Sequence, residues 1–294
     1  MNITVIGPGA IGISLAYALA NKENEVSLLV KPEHNALRKQ GKISIKKLSG
    51  IIIDKEIKIT TKLSKTDLVI LAVKSYSVKK LLDQLIKIDT PILCCQNGLQ
   101  TLNILKNKIK TNLISYMVTG AGSSKIEAGF SQHNGKGFTF IGQIDGNNGI
   151  RIKNISDNLT VNGIECKIVE NIQNYVWLKA IINSAINPIA TINRVKNGDL
   201  RKKSFLPDVK NICNESTTIA QKIGIKLPLE PWKEVLTILD KTADNKCSML
   251  QDIENHQETE IDAINGEFVR IASTNALDAR YNTLAITKVK EITS

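Results

Sequence analysis

Residues 2–21 read NITVIGPGAIGISLAYALAN. Five residues of strand type, Asn2 to Ile6, run directly into Gly7, Pro8, Gly9, Ala10, Ile11 and Gly12. Ile13 to Asn21 then reads as a helix. The glycines form G-x-G-x-x-G in the order strand, tight turn, helix, the context in which that spacing predicts dinucleotide binding. In that geometry Gly7 permits the turn, Gly9 lets the backbone approach a pyrophosphate, and Gly12 lets the helix pack on the strand. The helix N-terminus presents N–H groups and partial positive charge to the phosphates.

Working outward, residues 25–30 (EVSLLV) form a second strand, and Lys31 ends it. An acidic residue at this distance from the glycines would hold the ribose 2′-hydroxyl of NAD. Lys31, with Arg38 and Lys39 beyond it, favours the 2′-phosphate of NADP instead. Glu33 stands close by, and lysine lacks the bidentate fork of arginine, so NADH stays open as the other donor. A plain surface lysine is the structural alternative. Short β-type pieces in residues 42–61 read as an excursion from the main sheet. Residues 67–73 (DLVILAV) are nearly all apolar, as expected for a parallel strand buried on both faces. Lys74 follows at its carboxyl end, where open α/β sheets bind their ligands. Residues 91–95 form another strand, with Asn97-Gly98 after it; Asn-Gly alone is a turn signal, and here Asn97 can also reach the ligand crevice. Residues 113–118 form a further strand, and the small residues around Ala121 suit backbone lying against a ring. Residues 128–142 read as a hairpin turning near Gly135–Gly137, and residues 165–169 as a last short strand. Strands alternating with helices predict a parallel sheet.

The alternation stops near residue 170, and only helices are expected beyond. Residues 175–188 read YVWLKAIINSAINP, an apolar helix interrupted by Lys179, Asn183 and Asn187. A step of four advances about 400° around a helix, so the three form one slowly drifting row. Polar groups in such company are costly unless satisfied. Backbone carbonyls or water can satisfy them; so can a small polar ligand. A loop at residues 197–200 follows, then helices over 206–223, 231–242, 248–274 and 282–292. The expected division is residues 1–169, a Rossmann-type dinucleotide-binding domain of α/β class, and residues 170–294, an all-α substrate domain. A chain of 294 residues exceeds what one core normally supports.

The formal net charge is +11, yet the lysines are scattered, which favours solvated surface over a nucleic-acid footprint. Aromatic residues at 4% argue against a stacking platform for single strands. Cys94, Cys95, Cys166, Cys213 and Cys247 are odd in number and contain no C-x-x-C pair. They predict reduced thiols and no metal site. No stretch reaches the roughly 18 apolar residues of a membrane span. Cytoplasmic location is expected.

These residues together resemble the 2-dehydropantoate 2-reductase (ketopantoate reductase) family over essentially the whole chain. The glycine loop is shared with many dehydrogenases. Trp177-Leu178-Lys179 with Asn183 and Asn187-Pro188 is more specific, as are residues 197–200 (NGDL), 248–252 (SMLQD) and 259–266 (TEIDAING). The resemblance implies a C-terminal domain like that of 6-phosphogluconate dehydrogenase, and reduction of a small 2-oxo acid by NADPH to give (R)-pantoate for pantothenate and coenzyme A synthesis. It implies that Lys179 is the proton donor, that Glu260 is the second catalytic residue, and that both hold the substrate together with Asn183, Asn187, Asn197 and Ser248, with Asn245 beside them. It places cofactor contacts on Gly7 to Gly12, Lys31, Lys74, Asn97 and Ala121. A homodimer is compatible with it. Lys31 departs from the arginine frequent in the family, and Lys246-Cys247 departs from the pattern before Ser248.

The chemistry is coherent. Hydride arriving at a ketone carbon leaves negative charge developing on oxygen, and Lys179 can supply both positive charge and a proton there. Amides and a serine hydroxyl bind a carboxylate and a hydroxyl without a competing fixed charge. The structural alternatives are a helix N-cap for Ser248 and a solvated face for Glu260, which lies among Glu254, Glu258 and Asp262. The functional alternatives are a reductase of another branched 2-oxo acid, or a dinucleotide-sensing binding module.

Overall fold

β1 (Asn2–Ile6) passes through the glycine loop into α1 (Ala10–Leu19), and β2 (Glu25–Leu29) returns parallel to β1 with Ile3 beside Val26 and Ile6 beside Leu29. The computed structural model describes residues 1–135 and 137–293. α2 (Asn35–Gln40), β3 (Lys42–Lys46), β4 (Ile52–Glu56) and β5 (Lys58–Thr60) follow. Next come β6 (Leu68–Leu71), α3 (Ser75–Ile88), β7 (Ile92–Cys94), α4 (Gln100–Lys106) and β8 (Ile114–Thr119). β9 (Gly122–Glu127), β10 (Phe130–Gly135), β11 (Thr139–Gln143), α5 (Ile150–Val161) and β12 (Cys166–Ile168) complete the α/β part.

Among the described residues the main sheet has eight strands in the order β12-β11-β8-β7-β6-β1-β2-β5. The chain builds outward from β1 in one direction and then, from β6, in the other. The switch point lies between β1 and β6, where the glycine loop and Lys74 both stand. Every residue of β6 is buried, as its unbroken apolar run requires. The sheet is not wholly parallel: β11 pairs antiparallel with β8.

Two β expectations change. The excursion is split, because β3 and β4 join a small sheet ordered β4-β3-β10-β9 while β5 joins the edge of the main sheet beside β2. The hairpin turns earlier than expected, between β9 and β10 at Ala128-Gly129, where Gly129 has φ +80°. Residue 136 of the expected turn at Gly135–Gly137 lies outside the described residues, and Gly137 and Phe138 lead into β11 of the main sheet. α1 is buried almost throughout; Ser131 of β10 donates to the carbonyl of Ala10 at 3.2 Å.

The helical part opens with α6 (Ile172–Ile192), which is longer than its expected form and continues through Pro188. A 3₁₀ turn (Asn197–Arg201) replaces the expected loop, followed by α7 (Leu206–Lys222) and α8 (Pro231–Lys241). The single helix expected over residues 248–274 is broken. It becomes α9 (Ser248–Glu254), a π-helical turn (Asp262–Gly266) and α10 (Glu267–Thr274), with α11 (Arg280–Glu291) last. His256, at φ +53°, takes the left-handed conformation that ends α9 without glycine or proline.

The chain divides into two units. The α/β unit is Met1–Gln96 with Asn103–Gln173, and the helical unit is Asn97–Leu102 with the chain from Asn174 onward. The core of the helical unit is set by α6, in which Val176, Trp177, Leu178, Ile181, Ile182, Ala185 and Ile186 are all buried. Trp177 packs edge-on against Phe268 of α10 at 5.8 Å.

Candidate functional site

In the glycine loop each glycine answers a different steric demand. Gly7 has φ +113°, and a Cβ there would lie 2.9 Å from the backbone nitrogen of Val73. A Cβ on Gly12 would fall 2.0 Å from the carbonyl oxygen of Gly7, so Gly12 closes the turn upon itself as well as packing near Ala72. At Gly9 a Cβ would meet only the Ala72 oxygen, at 3.8 Å, which leaves the backbone open to close approach. Among the described residues no side chain caps α1 at Gly9, and no acidic residue stands in its first turn. Pro8, Ala10 and Ile11 are half-buried. These features fit a dinucleotide diphosphate.

Lys31 is exposed, and its Nζ lies 3.5 Å from Glu33 Oε1. The Glu33 carboxyl is held below its ordinary range by its own backbone N–H and, against opposing desolvation, by the Lys31 ammonium. Lys74 is half-buried at the start of α3. Its approach is fixed by Gln96, whose Nε2 donates to the carbonyls of Leu71 at 2.7 Å and Val73 at 3.0 Å. At the carboxyl end of β8 the backbone N–H of Ala121 donates to Thr119 Oγ1 at 3.1 Å.

In the helical unit the polar row of α6 sinks as it goes. Lys179 and Asn183 are half-buried, and Asn187 is 4% exposed. That gradient follows from the drift of about 40° per step. Asn187 Nδ2 is buried and, among the described residues, has no hydrogen-bond partner. Such a donor costs about 1–3 kcal/mol, comparable with what one buried isoleucine contributes.

Asn197 is also buried. Its Nδ2 donates to Thr242 Oγ1 at 2.8 Å and its backbone N–H to the Asn245 carbonyl at 2.9 Å. Its Oδ1 has no partner among the described residues. Asn245 and Ser248 are exposed. Ser248 is not the N-cap of α9; Cys247 is, with its Sγ accepting from the Leu250 N–H at 3.4 Å. The Cys247 thiol also lies 3.6 Å from the Asn187 carbonyl, to which it donates. The position before Ser248 therefore ties the start of α9 to the deep end of the row.

Glu260 is 6% exposed, whereas Glu254, Glu258 and Asp262 are exposed. The solvated-face alternative fails at Glu260 alone. Asn97 Nδ2 donates to Glu260 Oε2 at 3.3 Å, so Asn97, expected beside the cofactor, has a direct partner in the helical unit. Asn97 thus meets Glu260 and Asn197 meets Asn245 directly, while Asn187 is joined through Cys247 to the position before Ser248. Gly7 to Gly12, Lys31, Lys74 and Ala121 lie in the α/β unit.

Sequence reasoning missed Cys247 and Asn265. Nothing marks a buried thiol as a helix cap, but the Asn187-Pro188 step signals an unpaired carbonyl that some residue must meet.

The family pattern described as ketopantoate reductase PanE/ApbA matches residues 3–146, and its C-terminal counterpart matches residues 171–293. A 2-dehydropantoate 2-reductase of Pyrococcus horikoshii is 33% identical over 297 residues, covering 99% of this chain and 98% of that protein. One of Escherichia coli O157:H7 is 29% identical, covering 99% and 94%. Among solved structures, D-mandelate dehydrogenase with NADH and anilino(oxo)acetate superposes with a TM-score of 0.89 at 25% identity, covering 100% of this chain and 98% of that one. The matched patterns span both units and the relatives align nearly end to end, so the chain belongs to the ketopantoate reductase family.

Proposed function

We propose that the protein is an NADPH-dependent 2-dehydropantoate 2-reductase, with Lys179 as proton donor and Glu260 as its catalytic partner. The observation that supports the site assignment is that, among the described residues, a buried donor at Asn187 Nδ2 and a buried acceptor at Asn197 Oδ1 both lack hydrogen-bond partners. Each lies on a residue bonded to the segment leading into Ser248.

When bound at the glycine loop, the reduced nicotinamide dinucleotide supplies hydride to the ketone carbon. The Lys179 ammonium meets the charge developing on the ketone oxygen and delivers the proton that completes the alcohol. Asn183 and Asn187 donate amide hydrogens to the substrate carboxylate. Asn197 Oδ1 and Glu260 accept from its hydroxyl, and Ser248, beside Asn245, closes the set. Asn97 holds the Glu260 carboxylate in one orientation. Lys31 would hold the 2′-phosphate, and Lys74 and Ala121 would hold other parts of the cofactor.

Purified protein mixed with NADPH and 2-dehydropantoate is expected to turn over, and Lys179→Ala to lose turnover. A well-folded protein without activity, or undiminished activity in the variant, overturns the reading. The same proposal includes a cytoplasmic location and a homodimer. Light scattering at about twice the 32.3 kDa chain mass supports the dimer, and a mass near the single chain removes it. Among the described residues no helix is long and apolar enough to cross a membrane.

Two observations favour a second reading, reduction of another 2-oxo acid with NADH. Lys31 is already engaged by Glu33, and the D-mandelate dehydrogenase structure contains NADH. Ranking 2-oxo acids by kcat/KM with each cofactor separates the two.

A further inference from the structure

Pro188 lies inside α6, four residues after Ser184. Proline has no N–H, so the Ser184 carbonyl lacks the intrahelical donor that residue 188 would supply. Asn265 takes that place. Its Nδ2 donates to the Ser184 carbonyl at 3.0 Å and to Asn282 Oδ1 at 2.9 Å. Asn265 is fully buried in the π-helical turn. Both of its amide hydrogens are used, and a flipped amide would set Oδ1 against the Ser184 oxygen.

The contact belongs to a wider network, although Asn265 Oδ1 itself has no partner among the described residues. Ser184 Oγ donates to the Ile181 carbonyl at 2.8 Å. A hydroxyl has one hydrogen, so in the 3.0 Å contact between Ser184 Oγ and Ser216 Oγ it is Ser216 that donates. Ser216 in turn accepts from Asn282 Nδ2 at 3.1 Å, and Asn282 Nδ2 also donates to Glu215 Oε1 at 2.8 Å. The polar atoms of α6, α7 and α11 are thereby pinned to one turn.

That turn is also where the other wall of the site is held. The Ile264 N–H donates to the Glu260 carbonyl at 3.0 Å, and the Leu99 N–H donates to the Ala263 carbonyl at 3.1 Å. Glu260 and the Asn97 segment are thus fixed to the π turn, while Lys179, Asn183 and Asn187 are fixed to α6. Asn265 is the side chain that joins the turn to α6 at the carbonyl Pro188 leaves open.

We propose that Asn265 is a positioning residue for the reduction, setting the register between the α6 row and Glu260. The inference rests on the assignment of Lys179 and Glu260 above. Its test is a double-variant cycle of Asn265→Ala and Pro188→Ala, since alanine at 188 restores the N–H and lets α6 satisfy Ser184 by itself. Asn265→Ala is expected to lower kcat about tenfold or more, with NADPH binding, read by cofactor fluorescence, within about twofold of wild type. In the Pro188→Ala background the same change is expected to cost less than about threefold. A residue serving stability alone would lower the melting temperature and leave kcat of the folded protein unchanged.

Unchanged kcat in Asn265→Ala, or the same loss in both backgrounds, overturns the proposal. If Asn265→Ala does not fold, the proposal still requires the double variant to fold and to turn over; an insoluble double variant overturns it. Failure of the underlying assignment has a different readout, full turnover in Lys179→Ala.

Discussion

Asn97 Nδ2 donates to Glu260 Oε2 at 3.3 Å across a sequence separation of 163 residues. The meeting depends on backbone lying directly against backbone. Gly98 has φ +77°, and a Cβ there would fall 2.2 Å from the Ala263 oxygen, which already accepts from the Leu99 N–H. The carboxylate proposed above as catalytic is oriented by a segment that follows the end of β7.

Gly98→Ala is therefore expected to be severe. The new methyl cannot coexist with the Ala263 carbonyl, and the left-handed conformation disfavours it further. A loss of about 2–4 kcal/mol should appear in denaturant unfolding, with kcat falling more than NADPH binding. A variant of wild-type stability and activity would show that the close approach is dispensable.

Asn187→Leu should trade activity for stability. Leucine has a similar shape, and Nδ2 gives up no partner among the described residues. Replacing an unsatisfied amide by an apolar group of like volume is neutral or stabilising. The melting temperature is expected to hold or rise by a few degrees, about 2–4 °C per kcal/mol for a chain of this size, while kcat/KM falls about tenfold or more. A falling melting temperature would contradict the assignment.

Lys31 and Glu33 should have opposite effects on cofactor choice. Lys31→Ala is expected to raise KM for NADPH about tenfold and leave NADH nearly unchanged, because only NADPH carries the 2′-phosphate. Glu33→Gln releases Lys31 from its ion pair and is expected to lower KM for NADPH about twofold to threefold at low salt, an effect that fades as salt rises. Equal changes for both cofactors would remove the phosphate role.

Burial pushes the Cys213 thiol up to about 11, helped slightly by Glu230 and opposed by a hydrogen bond with Thr217. The folded state thus holds this proton more tightly than the unfolded chain, whose thiol titrates near 8.5. Its stabilising contribution is full below that pH and is lost as pH rises toward about 11. Cys213→Ala should flatten the alkaline fall in stability between pH 8.5 and 10.5, recovering up to about 2–3 kcal/mol of the pH-dependent loss. Parallel pH profiles in the variant and wild type would refute it.

The legible parts of this fold are those where one short stretch carries its own physical demand. The glycine loop is one, since each glycine there answers a local steric need. The polar row of α6 is another, because a step of four in an apolar helix needs no knowledge of partners. Glu260 was legible only through family resemblance. Its charged neighbours imitate a solvated face, and the break after Asn255 that buries it comes from a left-handed His256 rather than from glycine or proline. The hairpin around Gly129 was misplaced because the Gly135–Gly137 pair is the louder turn signal. Lys31 stands just after β2, as its place in the sequence implies, but its pairing with Glu33 depends on rotamers that composition does not fix. Cys247 and Asn265 act through contacts with distant carbonyls, which no local pattern encodes.

Six residues between Asn97 and Leu102 belong with helices that the ribosome delivers much later. A chimera made with a relative by joining at residue 173 would take Gly98 from one parent and the facing Ala263 from the other. The two halves are consequently not interchangeable cassettes. Recombination that respects this contact must carry residues 97–102 along with the C-terminal half, so the unit of inheritance for the helical part is discontinuous in the gene.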